Sequence, residues 1–279
     1  MNRRIRAARL RAAQDRLAEF ADGERSVAAA FTLSYQQLPA ELQRAFAALG
    51  RTRARTTRSA PLIGLGWVHR LQGRYGQAAE CYEQALRTAR EVGYRVGEIN
   101  ALIGIGWARR LTNSYGTAAD CHTQALRIAR EIGDRHSELL ARTGLGDVHL
   151  AQGGYGFAVD CYRQLLDVAR ETSDRNYQLE GHLGLGRAYL ATGRPAQAVS
   201  SLQEALGLAR ALDQSADQAR VHDGLARCYR ALGHTDRARQ HWQHALDTLT
   251  ALGTDTAEDI TVTGIRAELG NLDARAAAL

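Results

Sequence analysis

Metal binding and nucleophilic attack both need particular side chains held together, and this 279-residue sequence offers four cysteines and nine histidines for the purpose. Cys81, Cys121 and Cys161 stand 40 residues apart. On stacked helical units that offset puts their sulfurs on the order of 10 Å apart, whereas zinc holds each sulfur about 2.3 Å from one centre. They read as small buried hydrophobes. His241 and His244 are three apart on one helix, with no further ligand near them in the sequence. His69 and His149 share a 40-residue column with Arg109, Tyr189 and Tyr229, which marks a packing position. All 36 cations are arginine, and without a lysine no Walker A loop can close on phosphate. Gly64-x-Gly66 lacks both the third glycine and the preceding strand of a dinucleotide-binding turn. The expectation is a protein that is not an enzyme, with no catalytic residue, no metal and no cofactor. Recognition chemistry remains: Trp67 and Trp107 fall one repeat apart, and Arg187, Arg227 and Arg230 supply charge suited to carboxylates.

What positions these side chains is a repeat. Gly64-Leu65-Gly66 returns every 40 residues as Gly104-Ile105-Gly106, Gly144-Leu145-Gly146, Gly184-Leu185-Gly186 and Gly224-Leu225-Ala226. Gly73 returns at Gly153, Gly193 and Gly233, with Asn113 in the second copy. Ala78, Ala118, Ala158, Ala198 and Ala238 form another column. Leu65, Ala78, Tyr82, Ala85 and Leu86 lie at helical spacings on two segments broken near Gly73, which describes a helical hairpin with one apolar seam. Glycine inside a helix costs roughly 0.5–1 kcal/mol relative to alanine, so the paired glycines need a packing reason, and close approach of two helices supplies one. Gly93 and Gly133 suit left-handed helix ends, and Asp134 and Asp174 are placed to cap the helices that follow.

These residues resemble the tetratricopeptide repeat (TPR) signature, in the extended 40-residue form of Pins-type and kinesin-light-chain-type arrays. The resemblance covers about residues 55 to 253. It implies an all-α, right-handed α-solenoid of five TPR helical hairpins, with N-terminal helices and a C-terminal capping helix. The expected divisions are an N-terminal helical segment at 1–50, a basic linker at 51–58, the five units at 59–253, and the capping helix and tail at 254–279. In such arrays the first helix of each unit lines a concave face. Its residues here are Trp67 and Arg70, then Asn100, Trp107 and Arg110, then Asp147, then Glu180 and Arg187, then Arg220, Asp223, Arg227 and Arg230. The framework columns hold nearly constant while these positions vary, as on a scaffold whose binding surface is its variable part. The column that carries asparagine in peptide-binding arrays reads Trp, Trp, Asp, Arg, Arg.

The two ends differ from the repeats. Residues 257 to 269 read as one more amphipathic helix through Ile260, Ile265 and Leu269. Residues 2–21 read as a basic helix with Arg3, Arg4, Arg6, Arg9, Arg11 and Arg16 around an apolar stripe. The stretch from Ser26 to Gly50 resembles the start of the winged-helix segment in bacterial signalling ATPases. Regulators of the Streptomyces antibiotic regulatory protein (AfsR-like) type carry it upstream of similar repeats, here without the ATPase. Arginine-only, alanine-rich usage fits a GC-rich, actinobacterial genome. No secretory signal or membrane span is legible in the first 20 residues, so four cysteines imply a reduced, cytoplasmic setting. The function expected is a regulatory interaction module holding a protein or peptide partner in the concave groove. Two alternatives stay open: a nucleic-acid-associated regulator using the N-terminal arginines, and a small-molecule or enzymatic groove around Trp67 and Trp107. Self-association into a homo-oligomer is left open as well.

Overall fold

The computed structural model describes residues 59–257 and 260–277, in which helices follow one another at an almost fixed beat. α1 (Ser59–Leu71) is followed by α2 (Tyr75–Glu91), α3 (Arg95–Leu111), α4 (Tyr115–Ile132) and α5 (Arg135–Ala151). Then come α6 (Tyr155–Glu171), α7 (Arg175–Ala191), α8 (Pro195–Ala211), α9 (Ser215–Ala231) and α10 (Thr235–Leu252). A short antiparallel hairpin, β1 (Thr256–Ala257) against β2 (Ile260–Thr261), leads into α11 (Val262–Ala277). This succession of helical hairpins is the all-α solenoid architecture expected of the repeat. The basic helix at 2–21, the winged-helix-like stretch at 26–50 and the linker at 51–58 lie outside the described residues.

The beat is set by residues that turn left-handed. Gly73, Gly93, Gly133, Gly153, Gly193, Gly233 and Gly253 all have φ between 63° and 79°. Asn113 fills the same role at φ 59°, as its column predicts, since asparagine tolerates this region better than most residues. Ser173 and Asp213 adopt it too, at φ 56° and 55°. Aspartate shares asparagine's tolerance of this region, whereas serine does not, so at Ser173 the surrounding structure holds a turn that the residue itself disfavours. The expected aspartate caps form: Asp134 accepts from the Ser137 amide, and Asp174 from the Asn176 and Tyr177 amides.

The described residues divide into two compact units, one ending at Ala108 and the other beginning at Arg109, with α3 running through the boundary. In the first unit α1 packs on α2, with Leu62, Ala85 and Ala101 at the centre of its core. In the second, each helix from α4 to α11 packs on the next, and α5, α7 and α9 also touch one another as a row. One core runs from Leu139 to Cys228. Another gathers Ala226, Trp242 and Leu249 with Ile260 and Ile265 of the C-terminal segment. The helix expected from 257 starts later than the spacing predicted, at Val262. Ile260-Thr261-Val262 is a β-branched run, and such residues favour an extended backbone.

Candidate functional site

The site grows out of one side-chain column. On the second helix of each hairpin one column holds Tyr82, His122, Tyr162, Leu202 and Trp242, and at Tyr82, Tyr162 and Leu202 the side chain enters the space between consecutive first helices. In the first unit the Tyr82 ring lies against Gly66 and Gly104, where a Cβ would come within 2.8 Å and 2.5 Å of it. In the second unit a Cβ on Gly146 would sit 2.6 Å from the Tyr162 ring, and one on Gly184 closer still. The paired glycines exist to admit these rings.

The rings also pass through the layer to meet polar residues on its other side. Tyr162 Oη donates to Asp147 Oδ1 on α5 at 2.7 Å, and Trp242 Nε1 donates to Asp223 Oδ1 on α9 at 2.9 Å. Burial, then the Asp147 charge, pushes the Tyr162 hydroxyl well above its ordinary pKa. Leu202 breaks the pattern. It is shorter than tyrosine and carries no polar tip; it still packs closely on Gly186, where a Cβ would come within 2.6 Å, but leaves one built on Gly224 at a more relaxed 3.1 Å.

Above Leu202 the space stays open. A hollow of about 260 Å³ lies between α7 and α9, with Leu183, Leu190, Leu202 and Ile260 as apolar walls and Gly186 and Gly224 among its lining. Arg187, Arg220, Asp223 and Arg227 supply its charge. These charges are layered. Arg220 is buried, donating to Glu180 at 3.2 Å and Asp217 at 2.7 Å. Asp223 is 5% exposed and accepts from Arg227 Nε at 2.7 Å. The side chains of Arg187 and Arg227 stay 45% and 41% exposed, so guanidinium groups form the outer rim. Arg187 lies 4.0 Å from Asp147.

The structure thus brings Asp147, Glu180, Arg187, Arg220, Asp223 and Arg227 around one place, and it corrects two of them. Arg220 and Asp223 are buried ion-pair members, because an acid and a tryptophan from other helices reach them, so they meet a partner only from the floor of the hollow that they line. The expected open cationic end is also altered. Glu268 on α11 pairs with both Arg230 and Arg227, and Arg230 lies 5.3 Å over the Trp242 ring. No local spacing announces Glu268.

In the first unit Trp67 is 49% exposed, Asn100 is exposed, and Trp107 is half-buried with the Arg70 guanidinium 5.5 Å over its ring. Arg110, in the second unit, is half-buried and its charge helps hold His122 neutral. His241 and His244 gain a partner the sequence did not suggest: His222 of α9, whose Nδ1 is 2.8 Å from His241 Nδ1. Burial and the neighbouring histidines lower His222 to about 4. Among the described residues, no group of three or more His, Cys, Asp or Glu is placed to hold a metal ion. What the arrangement around Leu202 offers is binding: apolar walls, buried acid and a guanidinium rim.

The family model described as tetratricopeptide repeat matches residues 54–131, 117–171, 137–211 and 177–251. A search of curated proteins returned no match. Among solved structures, BtubC (BKLC) from P. vanneervenii is similar at TM-score 0.67 and 17% identity, over 87% of this chain and 92% of that one. A putative kinesin light chain from Podosopora anserina, with nearly identical TPR-like repeats, reaches TM-score 0.60 at 19% identity over 72% and 99%. A thermophilic TPR protein of Thermus thermophilus reaches 0.55 at 19% over 77% and 98%. At these identities the likeness is one of fold.

Proposed function

We propose, from the premise that this chain belongs to the tetratricopeptide repeat family, that it is a non-enzymatic interaction module holding a protein or peptide partner against the row of first helices. Repeats of this kind generally mediate contacts between proteins. The observation that carries the reading is the hollow between α7 and α9, a recess with apolar walls, buried Arg220 and Asp223, and a rim of the exposed guanidinium groups of Arg187 and Arg227. Trp67, exposed in the first unit, supports it, since tryptophan and arginine carry a disproportionate share of binding energy at interfaces. We read the role as regulatory, on the resemblance of residues 26–50 to the segment found in AfsR-like regulators. We place it in the cytoplasm, because Cys81, Cys121, Cys161 and Cys228 stand on separate helices with no disulfide among them. Among the described residues no helix is long and apolar enough to cross a membrane.

The test is affinity capture of a partner with wild type, Trp67→Ala and Arg187→Glu. Loss of a hot-spot contact costs about 2 kcal/mol or more, so each variant is expected to retain about a thirtieth or less of the partner at limiting concentration. Exposed positions away from special features change stability by only about 0.5 kcal/mol, so the thermal midpoint of Trp67→Ala should stay within a few degrees of wild type, while Arg187→Glu also loses its contact with Asp147 and should melt somewhat lower though still folded. Full retention of the partner by both variants rejects this surface.

A further inference from the structure

We infer that the hollow above Leu202 is a socket for a tryptophan or tyrosine side chain of the partner; this rests on the binding role proposed above and names the chemistry it recognises. The chain itself shows what fits there. Either side of Leu202 in its column, the equivalent space is filled from within by Tyr162 and Trp242, each ending on an aspartate of a first helix. At Leu202 the ring is missing and the glycines are kept, but the polar partner changes: the positions matching Asp147 and Asp223 on its own first helix are Arg187 and Leu183, and the nearby acid is Asp223 of the next first helix. Gly186 and Gly224 still stand without a Cβ on the two helices, and Asp223 lies in the lining. Asp223 already accepts from Trp242 and Arg227, but a carboxylate has about four lone-pair sites. An indole N–H or a phenol O–H arriving from outside finds an acceptor there, which favours tryptophan and tyrosine over phenylalanine.

The rim completes the match. In this molecule guanidinium groups lie over tryptophan faces, Arg230 over Trp242 and Arg70 over Trp107 at 5.3 Å and 5.5 Å, a contact that gains from the ring's negative face. Arg187 and Arg227 are the exposed groups at the mouth of the hollow, on opposite helices, where an entering ring would pass between them.

The test fills the socket from below. Leu202→Tyr restores the side chain that the column carries at 82 and 162, so it should fold with an unchanged or higher thermal midpoint. The probe is N-acetyl-tryptophanamide, titrated into the isotope-labelled full chain and followed by amide chemical shifts, with N-acetyl-leucinamide as control. Saturable shifts centred on Gly186, Leu202 and Gly224 are expected with the tryptophan probe and not the leucine one. In Leu202→Tyr the affinity should fall at least about tenfold, a loss of about 1.4 kcal/mol. Unchanged affinity in the folded variant, or wild-type shifts lying away from α7 and α9, overturns the socket. If the variant does not fold, the wild-type shift map decides alone. Partner capture that needs Arg187 while the tryptophan probe shows no binding sinks the socket and leaves the interaction surface standing. Tryptophan binding at these residues with no captured partner supports the socket and sinks the wider reading.

Discussion

Replacing Glu138 by alanine is expected to cost about 3–5 kcal/mol of stability, the range for removing one partner of a buried ion pair. Glu138 stands in the first turn of α5 with 2% of its surface exposed. Its Oε1 accepts from Arg130 Nε and Arg142 Nη2 at 3.0 Å, and its Oε2 from Arg135 Nη1 at 2.9 Å. Burial alone would raise the pKa of the carboxyl, but hydrogen bonds from Arg130, Arg135 and Arg142 outweigh it and hold it below its ordinary value. Arg130 and Arg135 are exposed enough to turn to water when the acid is removed. Arg142 is not, with 6% of its side chain exposed, so it is left as a buried cation with only Gln164 to meet it.

The chain carries its own controls. Glu98 occupies the same column and binds Arg90 and Arg95, but the residue four positions on is Leu102, so no buried cation depends on it. Glu98 is buried too, but Arg90 and Arg95 are exposed, so Glu98→Ala strands no cation and should cost only about 1 kcal/mol. In the next two units the column holds Gln178 and Gln218, which donate to the Ala169 and Ala209 carbonyls, and the Arg142 position holds His182 and His222. Glu138→Gln with Arg142→His thus copies an arrangement the fold already uses. Denaturant unfolding of the two single variants and the double should show strong coupling, the double recovering most of what Glu138→Gln loses. Additive losses would mean the pair does not act as a unit.

Column by column, the repeat also marks the limit of what a sequence makes legible. A 40-residue period in glycine, alanine and aromatic residues is enough to give the hairpins, their left-handed turns and the aspartate caps, because each depends on residues close together in the chain. The sequence also marks Arg187 and Arg227 as face residues, since helical periodicity fixes direction. It does not reveal what meets them. Arg220 pairs with Glu180 across 40 residues and Arg230 with Glu268 across 38, and no local pattern encodes partners on different helices. The hollow is hidden for a related reason. Leu202 looks like an ordinary core residue until its column shows rings in the same place, and only the packing reveals that the space has gone unfilled. Ser173 shows a third limit: tertiary packing imposes a backbone conformation that its own chemistry resists.

His122 should make this protein acid-sensitive well above the carboxylate range. Its ring is fully buried against Gly144, and neither nitrogen has a hydrogen-bond partner. Burial first, and the Arg110 charge second, lower its pKa from 6.5 to about 3. The folded state therefore needs the neutral ring, while the unfolded chain takes up a proton below about pH 6.5. Between these values the unfolded state binds more protons, so stability is full above pH 6.5 and drains away as pH falls toward 3. At about 1.4 kcal/mol per pH unit, this one group costs roughly 2 kcal/mol by about pH 5. His222, lowered to about 4 by burial and then by His241 and His244, adds to the loss over the same range. Glu138, held below 4.5, contributes only at lower pH, so the two windows separate. Leucine at position 122 follows the example of Leu202 and removes both unbonded nitrogens. His122→Leu is expected to raise stability at about pH 7 by about 1–3 kcal/mol, the cost of a buried unsatisfied polar group. It should also flatten the fall in unfolding free energy between about pH 6.5 and 5, leaving the share due to His222 and to His69, His149, His182 and His241, which burial also lowers. Denaturant melts at half-unit pH steps would settle it: a variant that keeps the wild-type slope in that window excludes His122 as its source.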